Sequence, residues 1–379
     1  MTATAKTAGE DTKIQGMEMS ASTTIGAAVA LAAILATAPV SARTMVYISN
    51  ADSREISVLE LDAQAGELKP VQTVAVTGTA MPMAISPDRR QLYVSLRSQP
   101  FSVSSFAIDQ QSGKLDLLST VPLPDNMAYI STDRSGRFLL SASYTGDKIA
   151  INPIGPQGLV QGEPVQVVQT RKNAHAILTD RSNSHVFASN LGGDILLQYR
   201  FDATTGRVVP NDPPFVETKQ GAGPRHFVFH PNDRFVYLVN ELDGTLNSYR
   251  FDASKGTLAA AGSQSIMPPG FSGGAPASAE IRITPDGRLL YASERTSNTI
   301  AAFRVNGETG ALTPAGHFAT ETQPRGFNID PRGRFLIAAG QKSDSATLYA
   351  IDAESGALKV LKRYPLGKNP NWVEIVDLP

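Results

Sequence analysis

The stretch GAGPRHFVFHPNDRFVYLVNEL, residues 221–242, has an arginine–histidine pair near its start and a glutamate near its end. Arg225, His226 and Glu241 bring a guanidinium, an imidazole and a carboxylate into one segment of a chain in which only 18% of residues are charged. Arginine binds carboxylate and phosphate groups through paired hydrogen bonds. An imidazole or a carboxylate can take a proton from water, and a guanidinium can stabilise an oxyanion. These residue types predict reaction of water or a carboxylate with a small anionic ester.

Several other chemistries are excluded by the composition. The chain has no cysteine, which excludes disulfides, thiolate nucleophiles, iron–sulfur clusters and cysteine-ligated zinc. It contains no Walker A motif and no dinucleotide-binding fingerprint. The candidate carboxylates are too few to predict a calcium or zinc site, so we expect no metal and no cofactor. A net charge of −1 does not predict nucleic acid as a partner.

The elements that position these residues come from an internal repeat. A turn of the pattern G-x-L, or a close variant, recurs at intervals of 45 to 54 residues, with its glycine at Gly66, Gly113, Gly158, Gly206, Gly256, Gly310 and Gly356. Most copies follow a strand such as LQYRFD, and a hairpin such as ITPDGRLLYAS lies ahead of that strand. Period-two alternation and β-branched or aromatic residues indicate four short strands per unit, the size of one propeller blade. Seven units predict an all-β, seven-bladed β-propeller of four-stranded antiparallel blades.

The two ends of the repeat region predict how the ring closes. Residues 44–50 match the second strand of a unit, whereas residues 370–376 match the first strand. The C-terminal strand would therefore join the blade that the N-terminal strands begin, which leaves few exposed sheet edges. The predicted propeller domain is residues 44–379.

Aligning the repeats on the turn residue before each second strand reveals two columns of positions. The first column lies eight residues before the turn, where the first strand of each blade enters the channel wall, and contains Met81, Ala128, His175, Arg225, Ala279, Arg325 and Asn371. The second column lies eight residues after the turn and contains Ala51, Arg97, Tyr144, Leu191, Glu241, Arg295 and Gln341. Because the two strands form an antiparallel hairpin, both columns must lie at the same end of it. We therefore predict one site at one mouth of the channel.

The polar members of the two columns are the candidate site residues. The catalytic candidates are Glu241, His175, Arg225 and Arg295. The substrate-binding candidates are Arg325, Gln341, Arg97 and Tyr144, with His226 beside them. His226 and Glu280 stand one residue off the first column, and strand alternation predicts that both point the other way.

Residues 1–43 differ from the repeat region, and we expect them to lie outside the propeller. Residues 25–42, IGAAVALAAILATAPVSA, form an apolar segment that is too short to span a bilayer and ends in a small-x-small site. A disordered extension followed by a cleaved signal peptide is one interpretation, and it predicts a periplasmic or secreted protein whose mature form has no membrane segment. The preceding residues contain acidic as well as basic side chains. The alternative interpretations of this segment are a disordered extension with an alanine-rich helix, or a true start codon further downstream. Either of them would be compatible with a cytoplasmic protein.

The repeat region resembles the seven-bladed propeller lactonases, which include bacterial propeller-type 6-phosphogluconolactonases and fungal carboxy-cis,cis-muconate lactonising enzymes. The resemblance covers residues 44–379, and its most specific segments are GPRH at 223–226, YLVNEL at 237–242, ITPDGRLLYASER at 283–295 and QPRGFNIDPRGRFL at 323–336. The family has a histidine, an arginine, a glutamate and an arginine at its proposed site, and these match His175, Arg225, Glu241 and Arg295. The chain departs from the family at residues 173–175, which are Asn-Ala-His where relatives often have His-x-His. It also has Glu-Ile-Arg at residues 280–282, where many relatives have Asp-Ile-His.

The resemblance implies hydrolysis of a sugar-acid lactone, with 6-phosphogluconolactone as the leading substrate. Glu241 would be the base that activates water, assisted by His175, while Arg225 and Arg295 would bind the lactone oxygen or a substrate carboxylate and stabilise the oxyanion. A phosphate or hydroxyls would be held by Arg325, Arg97 and Gln341.

Other functions are open at this point. An exported protein would act on an unphosphorylated aldonolactone, and carboxymuconate cycloisomerisation is a second enzymatic alternative. A non-enzymatic binding propeller and a metal- or quinone-dependent propeller enzyme are further alternatives. The sequence leaves the oligomeric state open.

Overall fold

The computed structural model describes residue 18 and residues 43–379, and in this part of the chain 28 β-strands form seven antiparallel sheets of four strands each. The innermost strand of every sheet contacts the innermost strands of both neighbouring sheets, which closes the seven sheets into a ring around one axis. This architecture confirms the predicted all-β, seven-bladed propeller. The predictions made for residues 1–43 lie outside the described residues, apart from Glu18 and Arg43.

In each blade one innermost strand is followed by three strands toward the outside of the ring. Blade one contains β28 (Pro370–Leu378), β1 (Arg43–Asn50), β2 (Glu55–Asp62) and β3 (Glu67–Ala75). Blade two contains β4 (Ala80–Ile85), β5 (Gln91–Leu96), β6 (Ser102–Ile108) and β7 (Leu115–Pro122). Blade three contains β8 (Met127–Thr132), β9 (Phe138–Ser143), β10 (Lys148–Pro153) and β11 (Gln166–Gln169). Blade four contains β12 (Ala174–Thr179), β13 (His185–Asn190), β14 (Ile195–Asp202) and β15 (Arg207–Glu217), with a 3₁₀ turn at Leu191–Gly193.

The last three blades follow the same order. Blade five contains β16 (Pro224–Phe229), β17 (Phe235–Asn240), β18 (Thr245–Asp252) and β19 (Thr257–Ser265). Blade six contains β20 (Ser278–Ile283), β21 (Leu289–Glu294), β22 (Thr299–Val305) and β23 (Leu312–Ala319). Blade seven contains β24 (Pro324–Ile329), β25 (Phe335–Gly340), β26 (Ser345–Ile351) and β27 (Leu358–Pro365).

The turn residues used to align the repeats share one backbone conformation. All six have φ between 56° and 75°, and they are Arg89, Gly136, Asn183, Asp233, Gly287 and Gly333. This left-handed region is accessible to glycine without strain and is tolerated best by asparagine and aspartate among other residues. The shared turn conformation therefore places the turn of each hairpin at the same level along the propeller axis. Both residue columns, which are counted from that turn, also lie at one level in successive blades.

The core lies mainly between the blades. Second strands such as β17 and β21 are buried along their whole length, because each is covered on both faces by the neighbouring blades. The outermost strands β7 and β27 instead expose most of their residues. Apolar burial between blades is the main force that holds the ring together. The rigid inner strands are thus the ones that carry the candidate site.

Candidate active site

Every blade interrupts the pairing of its innermost strand with a β-bulge at the same end. In β12, Ala174 pairs with Asn190 and Ala176 pairs with Ser189, which leaves His175 as the extra residue. A bulge adds one unpaired residue and redirects the side chains around it. The seven bulges contain the seven first-column residues, Met81, Ala128, His175, Arg225, Ala279, Arg325 and Asn371.

The second column lies directly after the second strand of each blade. Glu241 follows β17, and its backbone N–H donates to the carbonyl oxygen of Gly223 at 2.7 Å. Arg295 follows β21 and donates in the same way to Ala277 at 3.2 Å. These bonds hold the end of the second strand beside the start of the innermost strand. The two columns therefore meet at one mouth of the channel.

The Glu241 carboxylate lies between two guanidiniums. Arg225 Nε donates to Glu241 Oε2 at 2.8 Å, and Arg295 Nη2 lies 2.9 Å from Oε1. Burial raises the pKa of Glu241, but the positive charges of Arg225 and Arg295 outweigh it, and the net shift of this pKa is downward. Glu241 is therefore ionised at neutral pH, with both of its oxygens engaged.

The two arginines differ in their access to a substrate. Arg225 has a side chain that is only 1% exposed, and it directs Nη1 to the carbonyl oxygen of Ala279. Burial lowers the pKa of Arg225 to about 10, although Glu241 opposes this shift. Arg295 donates through Nε to Ala277 at 2.8 Å and lines a separate cavity of 320 Å³ between the loops of blades six and seven. Arg225 is thus placed to act through Glu241, whereas the side chain of Arg295 is accessible from the 320 Å³ cavity.

A cavity of 160 Å³ opens at the channel mouth, and side chains from five blades line it. The lining residues are Arg97, Ala128, Tyr144, His175, Glu241 and Arg325, all from the two predicted columns. A larger groove of 520 Å³ lies at the other end of the hairpins, where turns of blades two and three form its walls. Because that groove contains neither column, the smaller cavity is the candidate active site.

The cavity carries an excess of positive charge. Arg97 donates through Nε to the side-chain oxygen of Asn126, which is uncharged. Within residues 43–379, no carboxylate forms an ion pair with Arg97 or Arg325. Burial lowers the pKa of Arg325, and the neighbouring guanidiniums of Arg225 and Arg295 lower it further. Arg97 and Arg325 therefore line the cavity, and Arg225 and Arg295 contact the carboxylate of Glu241 in its wall. This arrangement of four arginines favours binding of an anion.

His175 presents a neutral imidazole to this cavity. His175 is 3% exposed, and its ring packs edge-to-face on the ring of Tyr144, with the two ring centroids 5.7 Å apart. Burial lowers the pKa of His175 well below its usual value, and the charge of Arg225 lowers it further. Its Nδ1 atom is buried and has no hydrogen-bond partner among the described residues. A neutral imidazole has a lone pair that can accept a proton.

His226 lies inside the channel, and the prediction that it points the other way is wrong. Its ring centroid lies 5.0 Å from that of His175 and 5.0 Å from that of Tyr129, which belongs to β8. The cause is the bulge in β16, where Pro224 pairs with Asn240 but Phe227 already pairs with Leu238, so that strand alternation is broken. His226 does not line the 160 Å³ cavity but lies beneath it.

Glu280 is redirected in the same way by the bulge in β20. Its Oε1 lies 3.0 Å from His226 Nδ1, and its Oε2 lies 3.5 Å from Arg282 Nη2. On β28, Trp372 donates through Nε1 to Glu374 at 2.8 Å. Burial raises the pKa of Glu374 to about 7, while Arg282 opposes this shift. A buried polar and aromatic layer thus fills the channel below the cavity.

Two further positions lie away from the cavity. Gln341 follows β25, and its amide donates to Asn369 at 2.9 Å, so it is part of the rim and not of the cavity wall. Residues 270–274, GFSGG, match the letters of a GxSxG motif around Ser272. They form a loop between β19 and β20 with no helix after them, so they do not form the strand–turn–helix of a nucleophile elbow.

Among residues 18 and 43–379, no three histidine or acidic side chains are grouped closely enough to hold a metal ion. Within the same residues, no helix is both long and apolar enough to cross a membrane.

Residues 42–375 match the family model described as lactonase, 7-bladed beta-propeller. The chain belongs to the seven-bladed β-propeller lactonase family. A 6-phosphogluconolactonase of Pectobacterium carotovorum is 44% identical to this lactonase over 334 residues, which are 88% of the present chain and 99% of the relative. A 6-phosphogluconolactonase of Xenorhabdus nematophila is 43% identical over 342 residues, which are 89% and 100% of the two chains.

Solved structures are similar to this propeller lactonase over nearly the same span. The periplasmic gluconolactonase of Pseudomonas aeruginosa superposes with a TM-score of 0.82 at 27% identity, covering 89% of this chain and all of the other. A putative 6-phosphogluconolactonase of Bacteroides uniformis gives a TM-score of 0.80 at 26% identity, covering 88% and 99% of the two chains.

Some residues around the site of this lactonase were not anticipated from the repeat. Asn126 holds Arg97, and Tyr129, Arg282 and Glu374 form the layer below the cavity. A signal for the layer exists in the sequence: two charged residues flank an apolar position in Glu280-Ile-Arg282, and the charged Glu374 lies two residues after Trp372. Such charges are unusual on strands that pack around a propeller axis.

Proposed function

We propose that this lactonase hydrolyses 6-phosphogluconolactone to 6-phosphogluconate. The observation that carries the proposal is the pair of arginines, Arg97 and Arg325, that line the cavity without a carboxylate partner among the described residues. Guanidiniums bind phosphate through charge-assisted hydrogen bonds. Relatives that are 41–44% identical over most of the chain carry the name 6-phosphogluconolactonase, which supports the same substrate.

Hydrolysis requires a base for the attacking water. We assign this role to His175, because its imidazole is neutral and lines the cavity. As the water oxygen bonds to the lactone carbonyl carbon, His175 takes its proton, and the carbonyl oxygen becomes an oxyanion within the field of the four arginines. The bond from that carbon to the ring oxygen then breaks, and the protonated imidazole returns its proton to the leaving oxygen.

Glu241 has a different role in this proposal from the one expected from the resemblance. Both of its oxygens contact guanidiniums, which leaves neither oxygen free to take a proton from water. Its carboxylate instead orients Arg295 and compensates the buried charge of Arg225. Glu241 is therefore proposed as a positioning residue at the cavity wall.

A second candidate substrate is an unphosphorylated aldonolactone. It is favoured by the apolar segment 25–42, which we propose is a cleaved signal, and by the likeness to a protein named as a periplasmic gluconolactonase. In that case the propeller, proposed as residues 44–379, would be the mature domain and would meet lactones outside the cytoplasm. Sequencing the N-terminus of protein made in its native host tests this proposal, and an N-terminus upstream of residue 25 would contradict it.

One assay distinguishes the candidate functions. The purified chain is incubated with 6-phosphogluconolactone, with glucono-δ-lactone and with a carboxymuconate, and each rate is corrected for spontaneous hydrolysis. A higher kcat/KM for the phosphorylated lactone is expected, and the rate should be unchanged by chelator. A preference for the unphosphorylated lactone would favour the second candidate. Turnover of the carboxymuconate alone, or of no compound, would overturn both.

A further inference from the structure

His226 is buried between the candidate base and a buried carboxylate. It is 2% exposed, its Nδ1 atom lies 3.0 Å from Glu280 Oε1, and its ring centroid lies 5.0 Å from that of His175. It lies below the cavity and does not line it, so it is not placed to touch a substrate. Its position instead resembles the second member of a carboxylate–histidine chain, in which one group fixes the proton of the next.

We propose that His226 and Glu280 are positioning residues that fix the tautomer of His175, so that His175 presents an unprotonated Nε2 to the lactone. The inference rests on the proposed function only for the identity of the reaction. The arrangement of protons follows from contacts within the channel.

One proton lies between Glu280 and His226. Glu280 Oε1 accepts the backbone N–H of Ile281 at 3.0 Å, and Oε2 faces the Arg282 guanidinium at 3.5 Å. Burial raises the pKa of Glu280 against the opposing charge of Arg282, but both of its oxygens face donors. We therefore assign the hydrogen in its contact with His226 to Nδ1 of the imidazole. Because a neutral imidazole carries one proton, Nε2 of His226 is left with a lone pair.

One nitrogen of each histidine has no partner among the described residues. His226 Nε2 and His175 Nδ1 are both buried without a hydrogen bond to any described residue, and they belong to adjacent rings. Burial lowers the pKa of both imidazoles well below the usual value, so both rings are neutral. Buried polar atoms are nearly always paired, directly or through one water. When the two nitrogens pair directly, the lone pair on His226 Nε2 accepts a proton carried by His175 Nδ1, which is the arrangement that we infer.

The other nitrogen of His175 is Nε2. Since Nδ1 of His175 is fully buried, Nε2 is the nitrogen available to the cavity. With the proton on Nδ1, Nε2 holds the lone pair that a general base needs. Tyr129 and Trp372 contact the His226 ring edge-to-face, with centroids at 5.0 and 5.8 Å, and hold the ring in this orientation.

The tautomer of His175 can be measured directly by ¹⁵N NMR of the histidine-labelled chain. The chain has only five histidines, and the His175 signals are identified by their loss in His175→Asn. Two-bond ¹H–¹⁵N correlations distinguish a protonated Nδ1 from a protonated Nε2. We expect a protonated Nδ1 on His175 in the unaltered protein. A protonated Nε2 on His175 would overturn the inference.

Two substitutions at His226 test the consequence for catalysis. His226→Phe keeps the ring packing but removes the acceptor, and should lower kcat by about 10- to 100-fold with little change in KM, as for other residues that orient a histidine. His226→Gln places an amide oxygen near the former Nε2 position and should recover part of this rate and the Nδ1-protonated signal. His317→Gln, on the outer strand β23, is the matched control and should keep the full rate. A wild-type kcat in His226→Phe would contradict the inference.

Failure of this inference and failure of the proposed function give different results. An active 6-phosphogluconolactonase with the other His175 tautomer would overturn the inference alone. A protonated Nδ1 on His175 in a protein without lactonase activity would support the tautomer assignment and overturn the proposed reaction.

Discussion

Arg225 Nε and Glu241 Oε2 lie 2.8 Å apart, at the two ends of one hairpin in blade five. The side chain of Arg225 is almost fully buried, whereas the side chain of Glu241 is 20% exposed. The Glu241 carboxylate also contacts Arg295. The pair therefore links the channel interior to the cavity wall. Arg225 influences the site through its contact with Glu241.

Replacing Glu241 with glutamine should reduce both stability and activity. The change removes the negative charge that compensates Arg225, and uncompensated buried charges cost about 3 kcal/mol or more of unfolding free energy. The kcat/KM should fall by about 10- to 100-fold, because Arg295 loses its orientation. Urea unfolding and steady-state rates provide the measurements.

The matched control for this variant is Glu60→Gln. Glu60 pairs with Arg43 at 2.6 Å, but both side chains are partly exposed, and such pairs contribute about 0–1 kcal/mol. Equal losses of stability in the two variants would contradict a special role for the Arg225–Glu241 pair.

Replacing Arg325 with glutamine should affect the two lactones differently. If Arg325 binds the phosphate, loss of its charge-assisted hydrogen bonds costs about 1.5–3 kcal/mol, which corresponds to about 10- to 100-fold in KM. The KM for 6-phosphogluconolactone should rise by this factor, while glucono-δ-lactone should be affected little. Arg200→Gln, at an exposed position on β14, is the control. An equal loss of kcat on both lactones would instead assign Arg325 to the oxyanion.

The dependence of activity on pH should reflect the depressed pKa of His175. Burial and the charge of Arg225 favour the neutral imidazole, which is the active form of a general base. The active form therefore persists as the pH falls through the usual histidine pKa of about 6.5, and it is lost only at lower pH. The profile of kcat/KM should be measured with glucono-δ-lactone, because a phosphate group titrates near pH 6 itself. An acidic limb centred near pH 6.5 would argue against His175 as the base.

Deleting residues 370–379 should unfold the whole propeller and not one blade. The deletion removes β28, which pairs with β1 along its length and buries the apolar residues Trp372, Val373, Ile375, Val376 and Leu378. At about 1.5–3 kcal/mol for each apolar side chain, this loss is comparable with the total stability of a typical domain, about 5–15 kcal/mol. Deletion of the exposed Pro379 alone is the control. Unchanged thermal melting of the longer deletion would refute closure by β28.

Much of the fold could be predicted because its determinants are local. The left-handed turn residues and the alternation of apolar side chains recur in each unit, and they define each hairpin without reference to the rest of the chain. The register within a hairpin is also local, which is why residue counting placed His175, Glu241 and Arg325 at the same mouth of the channel. The role of β28 followed from the same counting. Residues 44–50 match the second strand of a unit, and residues 370–376 match the first strand that pairs with it.

The positions of individual side chains were decided by the tertiary structure. Strand alternation alone turned His226 and Glu280 away from the channel, but the bulges that appear when seven strands pack around one axis bring both into it. Contacts between blades also place Arg295 on Glu241 and bury Arg225, which makes Glu241 a better positioning residue than a base. The sequence alone therefore determined which strands form and which residues reach the mouth of the channel. Which of these residues face a substrate depended on packing between blades, because the burial and charge neighbours of a side chain come from parts of the chain that are distant in sequence.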